Sequence, residues 1–389
     1  MSLRVIKHLE EVRGAFEREK VHSLNKLIVP TWRWLKVNDF QVEGLCLPEF
    51  VSYNKNYLML QENIKGTLIR PITEGNFEDK EVFEKLRLQG FEGVGEKFVT
   101  LGEVCYNAGL IAHIPRNTKI KDAIRLEYVI DNENHVVIDH NIIVAEENSE
   151  VTVVIDIASK EAQNAFHNGV TKIFVKRGAV VNLIKVQRLH NNAMHFDSNI
   201  AFVEGDGKVN YISVELGSKV GVSNYATYLD GVASEGNLGS IYFGDGDRKI
   251  DLSYTMTHRG MRSQSTIESR GALKDKCQKI FRGNLDFKKG ARRSKGTEEE
   301  YVILFDKGVR SDAIPTLLCE EDDVEGQHAA SAGQVDGDKL YYLMSRGLSE
   351  KEAKKLIVES SFRPIIDKIP FEDLRKTIDD EIHRRLVYA

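Results

Sequence analysis

Asp323-Val-Glu-Gly-Gln-His328-Ala-Ala-Ser-Ala-Gly-Gln-Val-Asp336-Gly-Asp-Lys-Leu-Tyr-Tyr-Leu-Met-Ser-Arg346-Gly347 closes a long region of β character with a single histidine. It then turns at Asp336-Gly337 and continues as helix. Upstream, short runs rich in Val, Ile, Thr, Tyr and Phe recur at 135–144, 151–157, 171–175, 180–186, 209–214 and 223–229. They continue at 240–243, 250–258, 264–269 and 279–287. Asp-Asn, Asn-Gly, Arg-Gly, Gly-Asp-Gly and Asp-Gly turn signals separate them.

No proline occurs between Pro115 and Pro315, where average usage of about 5% would place roughly ten. Proline lacks an N–H and is tolerated in sheets chiefly on edges and in bulges. A long proline-free β region therefore predicts strands bonded on both sides, as in the stacked rungs of a solenoid. No helical pattern of ten or more residues separates the later strands, which argues against βαβ units. One short helix is expected at 159–167. No strict repeat is visible, so a sandwich and an irregular right-handed β-helix both satisfy the pattern.

The ends differ from the middle. Residues 3–27 are charged and helical, with Leu3, Ile6, Leu9, Val12 and Phe16 on one face. Near the C-terminus, Ser349-Glu-Lys-Glu352 is a capping box. Ala353, Leu356 and Ile357 follow as an apolar stripe. Pro370 opens a last helix with Phe371, Leu374, Ile378, Ile382 and Leu386 at spacings of three and four. So narrow a stripe must pack either on its own domain or on a partner.

The 389 residues suffice for a large core, and a net charge of −5 gives no general attraction to nucleic acid or anionic membrane. No apolar run approaches the roughly 20 residues needed to span a bilayer. Mixed charges at the N-terminus do not fit a secretory signal. Cys46, Cys105, Cys277 and Cys319 lie far apart without a CxxC pair, which disfavours a zinc site or disulfide framework and fits a reducing cytoplasm.

No phosphate-binding loop of the GxxxxGK[ST] type is present, so if the system uses ATP, its hydrolysis is expected in a partner and not in this chain. Gly244-Asp-Gly-Asp-Arg-Lys-Ile-Asp251 lacks the glycine and terminal glutamate of a calcium loop and reads as a β-turn. Lys288-Lys289-Gly-Ala-Arg292-Arg293-Ser-Lys295 reads as a solvated basic turn. His190 and His195, five residues apart, are poorly spaced to share a metal. His328 taken alone is either structural or a borderline ligand suited to iron. Cys319 is either a second ligand or a buried apolar thiol.

Several segments resemble the SufB/SufD family of iron–sulfur cluster assembly proteins, and SufD more than SufB. They are Pro30-Thr-Trp32-Arg33, Ser265-Thr-Ile-Glu-Ser-Arg270-Gly271, Phe281-Arg282-Gly283 and Ser311-Asp312-Ala-Ile-Pro315-Thr-Leu317-Leu318. Gly326-Gln-His328-Ala-Ala-Ser-Ala-Gly333 and Leu340-Tyr-Tyr-Leu-Met-Ser-Arg346-Gly347 match best. The resemblance implies a mainly β protein, with a right-handed parallel β-helix between N- and C-terminal α-helical regions. Its expected divisions are 1–100 (helical or mixed), 101–335 (β-helix core) and 336–389 (helical, docking a partner ATPase).

The resemblance further implies a non-enzymatic scaffold subunit of the SUF system in the cytoplasm. It would pair with a SufB-like subunit, or with a second copy of itself, and with a SufC-type ATPase. A nascent, transient iron–sulfur cluster would form at a subunit interface. His328 is the implied cluster ligand, with Cys319 a weaker candidate. Arg346, Gly347, Ala353, Leu356 and Ile357 are candidate partner contacts. SufB-type chains carry a glutamate after the matching histidine and a cysteine near Ser311. Here Ala329 and Ser311 stand in those places, which favours the SufD role. A structural adaptor without metal chemistry is an alternative. A carbohydrate-active β-helix enzyme using Asp251, Glu268 or Asp286 is another, although their spacing defines no catalytic pair.

Overall fold

The structure is a computed structural model, and it describes residues 24–27, 52–59, 66–74, 91–160 and 165–387. The helix expected within 3–27 lies outside these except for its last residues, as do the Trp32-Arg33 segment and Cys46. The first strands are β1 (Leu58–Met59), β2 (Leu68–Pro71), β3 (Leu110–Ile114), β4 (Ile124–Ile130), β5 (Val136–Ala145) and β6 (Glu150–Ser159). Next come β7 (Phe166–Val175), β8 (Val180–Arg188), β9 (Met194–Val203), β10 (Lys208–Glu215), β11 (Val220–Leu229), β12 (Glu235–Gly244) and β13 (Lys249–His258). The series ends with β14 (Gln264–Leu273), β15 (Gln278–Phe287), β16 (Ser294–Leu304), β17 (Arg310–Ala313), β18 (Thr316–Cys319) and β19 (Val324–Gln334). Four helices accompany them: α1 (Glu96–Val104), α2 (Gly337–Ser345), α3 (Glu350–Ile366) and α4 (Glu372–Val387).

From β3 onward, alternate strands stack in parallel into two facing sheets. One runs β4-β6-β8-β10-β12-β14-β16-β19, with short β1 antiparallel at its start. The other runs β3-β5-β7-β9-β11-β13-β15, closed at one end by antiparallel β2 and at the other by β17 and β18. Parallel pairing throughout the core rules out a sandwich of antiparallel sheets. The architecture is a parallel β-helix of about eight turns.

Register makes the rungs explicit. Val136 pairs with Phe166, Phe166 with Met194, Met194 with Val220, Val220 with Lys249 and Lys249 with Gln278. These turns consume between 26 and 30 residues, and the turn from Gln278 to Arg310 consumes 32. One corner of every rung passes through a left-handed residue: Asn117, Asn148, Gly178, Asp206, Ala233, Arg262 and Arg293. Neither the identity of that residue nor the rung length is constant along the stack. The repeat is present in space while no strict sequence period exists.

Strands in this core are buried on both faces, which explains apolar runs such as Val136-Val137-Ile138 that do not alternate. Inward residues fill the lumen with Val, Ile and Leu, and with a zigzag of rings through Tyr211, Tyr225, Tyr254 and Phe281 at centroid spacings of 5.2, 5.5 and 5.6 Å. Outside the β4–β19 sheet, α3 and α4 bury Val358, Phe362, Ile365, Leu374, Ile378 and Ile382 against Ile184, Val214, Ile241 and Phe243. The C-terminal stripe therefore packs on its own chain. Outside the other sheet, Leu24 and α1 cover Val136, Phe166, Phe196 and Val222.

The capping box forms as expected, with Ser349 and Glu352 satisfying each other's backbone N–H groups. The middle of the short helix expected at 159–167, residues 161–164, lies outside the described residues; Ser159 ends β6 and Phe166 begins β7. The basic turn at 288–295 is neutralised by the acidic turn one rung later. Lys288 reaches Glu320 at 2.8 Å and Lys295 reaches Glu325 at 2.9 Å. No helix among the described residues is long and apolar enough to cross a membrane.

Candidate functional site at the mouth of the solenoid

Among the described residues, nothing stacks upon the last rung. On one sheet β19 is the terminal strand; on the other β17 and β18 are. Within β19, Val324 packs against the lumenal core, so Gly326, His328, Ala330 and Ala332 share its inward face. These residues are nonetheless largely open, because no further rung among the described residues covers them: His328 is exposed. Its Cα partner on the preceding rung is Glu298 of β16.

Ser311 and Cys319 occupy corresponding places on the opposing sheet. Ser311 pairs with Lys279 and Cys319 with Phe287. Lys279 and Phe287 both face the lumen, so Ser311 and Cys319 lie on the inward face of the terminal strands. Cys319 is exposed and not the buried thiol that was the alternative. Cys105 and Cys277 are buried, and burial pushes their thiols up to about 11 and about 12. The mouth is thus ringed by one imidazole, one hydroxyl and one thiol from three terminal strands.

One rung deeper the lumen is charged. Both oxygens of Glu300 accept from Lys279, at 2.7 and 2.9 Å, and one also accepts from the Tyr242 hydroxyl at 2.6 Å. Burial pulls the Lys279 ammonium below its ordinary range, against the opposing effect of Glu300. Glu298, two residues from Glu300 on the same face, is fully buried, and neither of its oxygens has a hydrogen-bond partner. Burial first, then the neighbouring Glu300, pushes its carboxyl up to about 7. Gly283 makes room for it: a Cβ there would stand 2.5 Å from the Glu298 carboxyl carbon.

Further in, the polar lining continues. Lys185 donates to Asp197 at 2.7 Å and to Thr171 at 2.9 Å. Glu215 accepts from Ser223 at 2.8 Å and from Ser213 at 3.1 Å. His167 lies 2.8 Å from Asp139 and stacks on His195 of the next rung at 4.8 Å. His190 instead lies at a corner beside Asn192, so the two histidines of the 190–195 segment do not converge. The pairing of His195 with His167, and of His328 with Glu298, follows rung register and not sequence proximity. The corner spacing was the signal that could have revealed both. Among the described residues, no three His, Cys, Asp or Glu side chains are grouped to hold a metal.

Of the C-terminal candidates, Ala353 is buried and Ile357 packs against the chain's own core. Arg346 caps the end of α2 with its guanidinium over Tyr342, and Gly347 is the left-handed residue just beyond, at φ 98°. Leu356 is exposed, as are Tyr341, Tyr342 and Met344 of α2, which the motif search had not singled out as contacts. The carboxylates Asp251, Glu268 and Asp286 make no catalytic pair. Asp251 is engaged by Arg282, Glu268 by Arg270 and Asp286 by Lys288.

Residues 128–361 match the profile of the family described as SUF system FeS cluster assembly, SufBD core domain. Similar proteins include the iron–sulfur cluster assembly protein SufD of Bacillus subtilis, 28% identical over 335 residues that cover 85% of this chain and 77% of that one. An iron–sulfur cluster assembly SufBD family protein of Staphylococcus epidermidis is 27% identical over 323 residues, covering 83% and 69%. A counterpart in Staphylococcus aureus strain USA300 has the same identity and coverage.

Proposed function

The chain belongs to the SufBD family of SUF iron–sulfur cluster assembly proteins, and we propose that within that system it is a SufD-like scaffold subunit whose cargo is the nascent cluster. It pairs through its open rung with a SufB-like subunit or a second copy of itself, and recruits a SufC-type ATPase through its C-terminal helices. The observation that carries this reading is β19. Its outer backbone edge is unpaired among the described residues, its small residues Ala329 to Gly333 permit close approach, and it presents His328 exposed at the lumen mouth. An open edge of this kind is a template for another strand.

Ser311 supplies no thiolate, so soft sulfur ligands for a cluster come from Cys319 or from the partner. The ATPase acts through α2. That helix has no buried residue and lies three positions after the last residue of β19, whereas α3 and α4 are bolted to the sheet. A force on α2 is therefore felt first by the strand that carries His328.

The test is anaerobic co-purification with SufB-like and SufC-type subunits, followed by iron and sulfide analysis. His328→Ala is expected to leave the complex and its folding intact while lowering bound iron and sulfide several-fold. Unchanged cluster content in that variant would overturn the ligand role. Assembly of the complex without any iron or sulfide in the wild type would favour a structural adaptor.

A further inference from the structure

We infer that Glu298 is a second protein ligand, acting with His328, for a ferrous ion held at the mouth of the solenoid before sulfide arrives. This rests on the role of His328 proposed above and adds a residue to it. The two residues are Cα partners on adjacent strands of one sheet, which lie about 4.7–4.9 Å apart. Both belong to the inward face, Glu298 sealed below and His328 open above.

The strongest indication is that Glu298 has no internal reason to be charged where it is. Other carboxylates of the described lumen are answered: Glu300 by Lys279 and Tyr242, Asp197 by Lys185 and Asn199, Glu215 by Ser213 and Ser223, Asp139 by Asn141 and His167. Among the described residues, Glu298 is answered by nothing, His328 included. A buried carboxyl without a partner is costly and calls for an explanation. The space it occupies is also made for it, because the missing Cβ of Gly283 is what admits its carboxyl group.

A divalent cation above Glu298 would supply the missing partner. Imidazole nitrogen and carboxylate oxygen together suit a borderline first-row cation such as Fe(II). Two protein donors leave the remaining positions open to water, to sulfide and to thiolates from across the interface. The site is incomplete by itself, as a station that must surrender its ion requires. No electron transfer is involved: the ion enters as Fe(II), displaces the proton of any neutral Glu298, and leaves bonded to sulfide.

The full chain is titrated anaerobically with Co(II), a spectroscopic stand-in, and then with Fe(II). The wild type is compared with His328→Ala, Glu298→Gln, Glu298→Asp and the outward-facing control Glu299→Gln. Glu298→Gln is expected to weaken binding tenfold or more and to alter the cobalt visible band, Glu298→Asp to weaken it less, and Glu299→Gln to leave it unchanged. Urea unfolding run in parallel shows whether each variant is folded; if Glu298→Gln is not, Glu298→Asp carries the comparison. Wild-type affinity in Glu298→Gln would overturn the inference, marking Glu298 as a neutral buried acid. If His328→Ala alone loses binding, the inference fails and the proposed role of His328 stands. If Glu298→Gln alone loses it, the shared site fails and so does that role. Absence of any binding by the wild type also overturns the inference, without touching the interface reading.

Discussion

Arg385 of α4 reaches across to Asp245 in the turn between β12 and β13, its Nε donating to Oδ2 at 2.7 Å. Its remaining nitrogens donate to the Asp245 carboxylate and to the carbonyls of Leu216 and Phe243, and the side chain is 2% exposed. One buried guanidinium thus joins the last helix to the ends of two rungs. This is why α3 and α4 behave as part of the solenoid wall, and why any movement driven by a docked ATPase is assigned to α2.

Arg385→Ala should loosen that wall. Asp245 keeps a second partner in Arg248 at 2.7 Å, so the loss is expected near 3 kcal/mol, at the low end for breaking a buried ion pair. Hydrogen exchange localises the effect: amides of α4 should lose protection before those of the core strands. Protection unchanged along α4 would contradict the bolting role.

The contribution of Glu215 to stability should fall as pH rises from about 4.5 to 7. Burial pushes its carboxyl up to about 7, against the opposing hydrogen bond from Ser223 and with the nearby Asp197 adding to the rise. Below about 4.5 the group is protonated folded and unfolded, and contributes no difference. Between the two values this carboxyl binds more protons in the folded state than in the unfolded one, so its contribution declines with rising pH; above 7 the penalty is complete. Its size is on the order of 3 kcal/mol at most. In urea denaturation at stepped pH, the stability of Glu215→Gln relative to wild type should rise across that window, and a difference that does not change with pH would refute it.

Gly271 faces the lumen where Tyr242 crosses it. A Cβ there would sit 2.2 Å from the tyrosine ring, and Tyr242 is pinned by its bond to Glu300 at 2.6 Å. Gly271→Ala should therefore cost about 1–3 kcal/mol through overpacking, read as a lowered urea midpoint. A neutral result would mean that the ring can shift without cost.

Tyr341 and Tyr342 on α2 are 76% and 56% exposed, on a helix with no buried residue. Tyr341→Ser with Tyr342→Ser should leave the unfolding midpoint within about 0.5 kcal/mol of wild type. The same double variant should weaken retention of a SufC-type ATPase in pull-down. Full retention would move the docking site elsewhere on the C-terminal helices.

Much of this architecture could be anticipated from local chemistry. The proline gap, the β-branched runs, the capping box at Ser349 and the apolar stripe of α4 each act over a few residues, and each appears in the structure where it was expected. β9 and β16 were missed, because their inward positions carry His195, Asp197, Glu298 and Glu300 where a strand normally shows Val or Ile. A polar lumen disguises a buried strand.

Sequence alone determined that strands would form, that helices would flank them, and which family the pattern resembles. Tertiary structure alone decided which residues meet. Rungs of unequal length, turned by corners of differing identity, leave no period from which partners thirty positions apart can be counted. Only stacking, with its obligatory backbone pairing between neighbouring strands, sets Glu298 beneath His328 and His167 against His195.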